Sequence, residues 1–200
     1  MNYQKAQDEI TASLTGRPRL LLHACCGPCS TACIERLAEH FDVTVFWYDP
    51  CIHPEKEYLL RLEHAKKLAE AVGVPLIEAE YDPENYFARV KGLENEPEGG
   101  ARCTECFRQR LERTAQAARE GGFAWFTTTL TVSPHKDAPR INGLGEEIGK
   151  AAGVPFLPSD FKKKNGYLRS IELSKRYGLY RQDYCGCVFS MRPREEEAEV

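Results

Sequence analysis

The sequence lacks the segments that would place it in a membrane or export it. Among its 200 residues no apolar run approaches the roughly 20 residues that a membrane-spanning helix needs. The first 17 residues are a polar lead without the apolar core of a secretory signal peptide. We therefore expect a cytoplasmic protein that has no membrane partner.

An excess of positive charge is also absent. The 27 lysines and arginines face 30 aspartates and glutamates, which gives a formal net charge of −3. The chain as a whole therefore has no long-range attraction for a nucleic acid, and any RNA contact would need a local basic surface. No glycine-rich loop of the dinucleotide-binding type is present, so we expect no bound nicotinamide or flavin.

Cysteine, by contrast, is abundant. The chain has nine cysteines, an odd number that leaves at least one thiol outside any set of disulfides. In a reducing compartment, clustered cysteines more often bind metal or carry out redox chemistry. Seven of the nine form three clusters: Cys25-Cys26-x-x-Cys29, Cys103-x-x-Cys106 and Cys185-x-Cys187.

Predicted strands and helices alternate along the chain. Strands are predicted at 19–24, 42–48, 74–80, 123–130 and 154–158, and helices at 30–40, 54–73, 103–120 and 142–152. Ser30 is the expected cap of the first helix, and segments 91–102 and 161–170 are expected loops. This alternation predicts one α/β domain over residues 1–200, with a mainly parallel sheet flanked by helices and an acidic tail at 193–200.

The first cysteine cluster follows the first predicted strand, where parallel sheets bind their ligands. If all three clusters meet there, they supply the three or four thiolates that an iron–sulfur cluster needs. Four of these thiolates would equally suit zinc, in a zinc-stabilised binding module. Cys26-Gly27-Pro28-Cys29 is also the dithiol sequence of thioredoxins, although a thioredoxin-like oxidoreductase would leave the other clusters unexplained. Cys33, one helical turn after Cys29, is interpreted as a core residue.

Six motifs extend over most of the chain. They are HACCGPCS at 23–30, IHPEKEY at 52–58, RCTECFRQRL at 102–111, TTTLTVSPHKD at 127–137, SDFKKKNG at 159–166 and YRQDYCGCVFS at 180–190. In these motifs the chain resembles the cobalamin-independent epoxyqueuosine reductases of the QueH family. The resemblance implies a fold similar to the adenine-nucleotide α-hydrolase-like (HUP) proteins. It also implies reduction of epoxyqueuosine to queuosine in tRNA, the last step of queuosine biosynthesis.

The same resemblance implies a [4Fe-4S] cluster and a second mononuclear iron, supplied with electrons by an external one-electron donor and without cobalamin. The implied metal ligands are Cys25, Cys26, Cys103, Cys106, Cys185 and Cys187, with Cys29 as a possible further ligand and Asp160 as a carboxylate candidate for the second iron. The expected catalytic residues are Cys29, His53, Asp183 and Tyr184. One departure is Asp49-Pro50-Cys51, where family members usually have Asn at the last position and often Asn-Pro-Asn. Cys51 adds a further thiol close to a motif. It is either a neutral change or an extra thiol near the site.

Contacts with tRNA phosphates are expected from basic residues in the later motifs. Such contacts would come from lysine and arginine side chains on loops beside the strand ends. A solvated surface is the alternative explanation for the basic run at 161–170. The expected residues are Lys136, Arg140, Lys163, Lys164, Arg169 and Arg181.

Overall fold

A computed structural model describes residues 1–191, so the predicted acidic tail at 193–200 lies outside the described residues. A four-stranded sheet forms the centre of the molecule, in the order β3-β2-β1-β4. Its strands are β1 (Arg19–Ala24), β2 (Asp42–Trp47), β3 (Leu76–Glu78) and β4 (Trp125–Thr128). Every neighbouring pair is parallel, as the alternation of elements predicts.

Helices cover both faces of this sheet. They are α1 (Tyr3–Ser13), α2 (Gly27–Leu37), α3 (Glu55–Val72), α4 (Pro83–Arg89), α5 (Ala101–Glu120), α6 (Ala138–Ala152) and α7 (Gly166–Arg176). Alternate residues of β1 point to opposite faces. Leu20 and Leu22 pack with α2 and α3, whereas Leu21 packs with α5 and α6. Two hydrophobic cores therefore hold the sheet between helices.

Helix α2 begins earlier than predicted, and its cap is not Ser30. The Cys26 side chain caps it by accepting a hydrogen bond from the Cys29 backbone N–H. Pro28 fits in the first turn because an N–H group there has no partner within the helix. Ser30 lies inside the helix, where its hydroxyl donates to the Cys26 carbonyl. The thiol cluster is thus part of the helix start itself.

The predicted fifth strand at 154–158 is wrong. The segment makes only an isolated bridge between Phe126 and Phe156, because Pro155 and Pro158 have no N–H to donate to a ladder. Segment 161–170 is likewise only partly a loop, since α7 begins at Gly166. Helices α1 and α4 were not predicted. Of segment 91–102, the last two residues already belong to α5.

The carboxyl ends of the strands gather the cysteine motifs at one edge of the sheet. Cys25 directly follows β1, and Cys51 lies in the loop after β2. Beyond β4 a 3-10 turn, Thr129–Val132, replaces the end of the longer predicted strand. The N-terminal half of α5 brings Cys103 and Cys106 to the same edge. No helix in the described part of the chain is long and apolar enough to cross a membrane.

Candidate metal centre

Cys25, Cys26 and Cys29 form a compact group where β1 passes into α2. Their sulfur atoms all lie within 4.8 Å of one another. Burial alone would raise the pKa of Cys26, but hydrogen bonds with the Cys25 and Cys29 thiols outweigh it and hold the pKa well below its ordinary value. The Thr129 hydroxyl also donates to Cys25 Sγ at 3.3 Å. This triad is close enough to share one metal ion or cluster.

A second group of sulfurs surrounds the buried guanidinium of Arg110 on α5. Arg110 Nη2 lies 2.9 Å from Cys51 Sγ and 2.9 Å from Cys106 Sγ. Its Nη1 donates to Asp49 Oδ1 at 2.9 Å. The hydrogen bond with the Cys51 thiol, aided by the Arg110 charge and opposed by burial, lowers the pKa of Cys106 to about 6. Cys51 is therefore an extra thiol beside a predicted ligand.

The third cysteine motif contacts a second cation, Lys136, whose side chain is mostly covered. Lys136 Nζ lies 3.0 Å from Cys185 Sγ, and its side chain is only 11% exposed. The segment is fixed by Arg61 on α3, which donates to the Cys185 carbonyl at 3.1 Å and to the Tyr184 carbonyl at 3.3 Å. The His53 backbone N–H also donates a hydrogen bond to the Gly186 carbonyl at 2.8 Å, which holds the same segment.

Cys103 and Cys187 are buried close to these groups. Cys103 Sγ accepts a bond from the Gly99 N–H at 3.2 Å, and Cys187 Sγ lies 3.5 Å from Ser190 Oγ. Cys187 packs in the same core as Cys106 and Cys51. Within residues 1–191 neither thiol is hydrogen-bonded to Arg110 or to the triad. Their sulfurs are thus near the centre without direct contact to its cations.

One cleft of about 510 Å³ exposes sulfurs from the first and third motifs together. We call it the thiol cleft. Arg110, which binds the second motif, reaches the same cleft. The first and third motifs therefore meet in this cleft, and the second is linked to it through the contact of Arg110 with Cys106. The lining does not include Cys26, Cys103, Cys106 or Cys187. Its lining comprises Cys25, Cys29, Glu98, Arg110, Leu130, Val132–Lys136, Tyr167, Ser170, Arg181–Cys185 and Ser190.

The chemistry of the centre suits metal-bound thiolates. All nine cysteines are free thiols, and Arg110 and Lys136 have sulfur atoms among their closest partners. A cation taken out of water needs an anionic partner nearby. Asp49 and Glu98 supply one carboxylate to each cation, and sulfurs deprotonated by metal binding, as in zinc and iron–sulfur sites, would add negative charge beside them. The residues present therefore fit a thiolate-ligated metal group.

Comparison with known proteins identifies the family. The model of the family described as Epoxyqueuosine reductase QueH matches residues 20–193. The Epoxyqueuosine reductase QueH of Histophilus somni is 48% identical over 187 residues, which cover 92% of this chain and 77% of that protein. Its namesake from Streptococcus pyogenes serotype M1 is 45% identical over 182 residues, 88% of this chain and 71% of that one. The chain belongs to the QueH family.

The fold of this QueH family member also occurs in a solved structure. It matches the U34-tRNA thiolase NcsA from Methanococcus maripaludis, which was solved with its [4Fe-4S] cluster, at a TM-score of 0.53. The match covers 94% of this chain and 65% of the thiolase chain, at 11% identity. At that identity the likeness shows the fold alone, an α/β fold of the predicted class.

The expected catalytic residues of this QueH member are only partly brought together. Cys29, Asp183 and Tyr184 line the thiol cleft. His53 does not line it; its ring contacts Phe87 edge-on, and its carbonyl accepts the Tyr184 hydroxyl at 2.8 Å. The expected iron ligand Asp160 also lies outside the lining, paired with Lys162 at 3.1 Å.

The expected tRNA-binding residues divide into two surfaces. Lys136 and Arg181 line the thiol cleft. Lys164 and Arg169 lie in a separate groove formed by α1, α2 and α7. There Lys164 pairs with Asp8 at 2.8 Å.

Arg169 is also neutralised in that groove, since it pairs with Glu35 at 2.8 Å and Glu172 at 3.0 Å. Arg140 contacts the Gly99 carbonyl and the Thr104 hydroxyl, and so supports the start of α5. Lys163 is exposed. The two surfaces can therefore be tested separately.

Sequence reasoning missed four residues of the centre. Arg110 could have been found, because it lies four residues after Cys106 and so on the same helix face. Asp49 was noted only as part of a motif departure. Tyr167 and Gln182 line the thiol cleft from segments without a distinctive pattern.

Proposed function

We propose that this chain reduces epoxyqueuosine to queuosine in tRNA. The observation that carries the proposal is a cleft lined by Cys25, Cys29 and Cys185 and linked through Arg110 to Cys106, in a chain of the QueH family. A cleft of about 510 Å³ falls within the size range of small-molecule sites. A hypermodified base that is turned out of an RNA loop would fit such a site.

The cofactors proposed for this cleft are a [4Fe-4S] cluster and a second iron, with no cobalamin, nicotinamide or flavin. The proposed ligands are Cys25, Cys26, Cys103, Cys106, Cys185 and Cys187, with Asp160 as a further candidate for the second iron. The triad, with sulfurs within 4.8 Å of one another, supports Cys25 and Cys26 as ligands and Cys29 as a possible third. When bound, such a centre supplies single electrons and a Lewis acid for the epoxide oxygen.

The chain's own residues must position the substrate and deliver protons. The reaction consumes two electrons and two protons and releases the epoxide oxygen as water, so an external one-electron donor must act twice. Asp183 is an exposed acid on the cleft and can carry a proton in from solvent. Burial and the Glu57 charge raise the pKa of Tyr184. Its hydroxyl therefore stays protonated and donates a hydrogen bond to the His53 carbonyl.

A thiol–disulfide oxidoreductase is less well supported by the geometry. Attack on a disulfide requires an accessible thiolate, whereas Cys26 is fully buried and caps α2. Its partner Cys29 also has a third sulfur, Cys25, in the same group. This arrangement favours metal ligation by all three over a two-sulfur redox pair.

Anaerobic turnover tests the proposal directly. The protein is purified without oxygen, reconstituted with iron and sulfide, and incubated with an epoxyqueuosine-containing anticodon stem-loop and a chemical one-electron reductant. Mass spectrometry of the nucleosides should show loss of one oxygen atom. Added cobalamin should leave the rate unchanged. A protein with full metal content that never forms queuosine would contradict the proposal.

A further inference from the structure

Arg110 is a buried cation and Lys136 a mostly covered one, and both contact cysteine sulfurs. Arg110 is 3% exposed and contacts two sulfurs, Cys51 and Cys106, at 2.9 Å. Lys136 contacts Cys185 Sγ at 3.0 Å, and its ion partner Glu98 is more distant, at 3.5 Å, and more than half exposed. Two positive charges thus lie among the sulfurs of the second and third motifs.

Asp49 determines how Arg110 faces those sulfurs. Its Oδ1 binds Nη1 of Arg110, while Oδ2 has no hydrogen-bond partner among the described residues. The carboxylate is fully buried directly after β2. Because Nη1 is held in this way, Nη2 is directed at Cys51 and Cys106. Among residues 1–191, Lys136 pairs with no equally buried carboxylate. The two positive charges of Arg110 and Lys136 therefore exceed the single buried negative charge of Asp49.

This excess charge matters for a redox centre bound by thiolates. Thiolate ligands are negative, and each electron taken up adds a further negative charge. A fixed cation nearby stabilises the reduced state more than the oxidised one, and in a buried site water screens little of that effect. Hydrogen bonds to ligand sulfurs and net local charge are established determinants of iron–sulfur potentials.

We propose that the positive charges of Arg110 and Lys136 raise the reduction potential of the thiolate-bound centre. Asp49 contributes by orienting Arg110. The inference rests on the proposed function, because it needs a redox centre in the thiol cleft. It assigns Lys136 to the sulfurs instead of to a tRNA phosphate, in keeping with its small exposed area.

A redox titration followed by electron paramagnetic resonance tests this role. Lys136→Met and Arg110→Met should each lower the ratio of reduced to oxidised centre at least tenfold at a fixed potential, a shift of about 59 mV for one electron. Lys136→Arg and Arg110→Lys, which keep the charge, should restore most of that shift. The matched control is Arg108→Met, also on α5, where the side chain pairs with Glu147 at 2.9 Å; its potential should equal that of the wild type.

The outcomes separate this inference from the proposed function. If the wild-type protein holds no iron–sulfur centre, both fail. If it holds one and Lys136→Met leaves the potential unchanged, only the present inference fails. Arg110→Met leaves Asp49 buried and unpaired. If that variant does not fold, the comparison of Lys136→Met with Lys136→Arg tests the inference alone. If Lys136→Met loses iron and Lys136→Arg keeps it, the result supports the role of the charge. If both variants lose iron, the result contradicts that role.

Discussion

At the scale of single residues, the spacing of Cys106 and Arg110 shows how a helix assembles the centre. Four residues make about one helical turn, so both side chains lie on the same face of α5. The cysteine motifs could be predicted because their spacing is visible in the sequence. Arg110 was missed because an arginine four residues after a cysteine has many ordinary explanations. Its two sulfur partners become apparent only when α5 packs against the loop after β2.

Most of the six proposed metal ligands should be required one by one. Replacing any one of the six by Ala removes a thiolate from the centre, so we expect iron content and turnover to fall together in most of these variants. The measurement is iron and sulfide per chain after anaerobic reconstitution, beside the turnover rate. The six are Cys25, Cys26, Cys103, Cys106, Cys185 and Cys187.

Cys33→Ala is the matched control. Cys33 is equally buried, but its thiol donates to the Cys29 carbonyl and lies outside both sulfur groups. Its loss should lower the free energy of unfolding by about 1–3 kcal/mol while leaving iron content intact. Iron loss in Cys33→Ala as large as in Cys106→Ala would contradict this assignment of ligands.

At the scale of elements, the strands with strong hydrophobic runs were predictable and the short helices were not. Strand β1 has the predicted bounds, and α3 ends at Gly73 with φ 71°, the left-handed conformation that glycine favours. Helix α7 was missed because Asn165 and Gly166 resemble a loop. In the structure Gly166 starts the helix. Glycine is needed at this position because an added Cβ would overlap the Phe161 carbonyl oxygen.

Gly166→Ala should therefore displace α7 and Tyr167, which α7 contributes to the thiol cleft. We expect a loss of about 1–3 kcal/mol in the free energy of unfolding, measured by denaturant titration, together with slower turnover. Gly143→Ala is the matched control, since no atom lies within 4 Å of the added Cβ. In the middle of α6 it should be neutral or stabilise by up to about 1 kcal/mol. Equal destabilisation by both changes would refute the close packing at Gly166.

At the scale of the whole molecule, a net charge of −3 leaves RNA binding to local surfaces. Arg181 lines the thiol cleft, and no carboxylate in residues 1–191 pairs with it, whereas Arg169 is neutralised by two glutamates in the other groove. The basic residues could be predicted from the sequence, but which of them are neutralised by carboxylates could not. The ion pairs with Glu35 and Glu172 depend on how α2 and α7 pack.

Arg181→Glu should therefore weaken binding of the stem-loop more than Arg169→Glu does. Each lost phosphate contact should reduce the slope of log affinity against log salt by roughly one unit or less. Titration at two salt concentrations, with iron content checked in each variant, measures the effect. A larger effect of Arg169→Glu would move the RNA surface to the groove of α1, α2 and α7.

The family was predictable from six motifs and is confirmed by the match over residues 20–193. The identity of the metal group is the central claim, and metal and sulfide analysis of the anaerobically purified protein tests it most directly. We predict a brown protein with broad visible absorbance, in which iron slightly exceeds acid-labile sulfide because the second iron carries none. A colourless protein that contains zinc, or a metal-free protein in which Cys26 and Cys29 cycle between dithiol and disulfide, would contradict it.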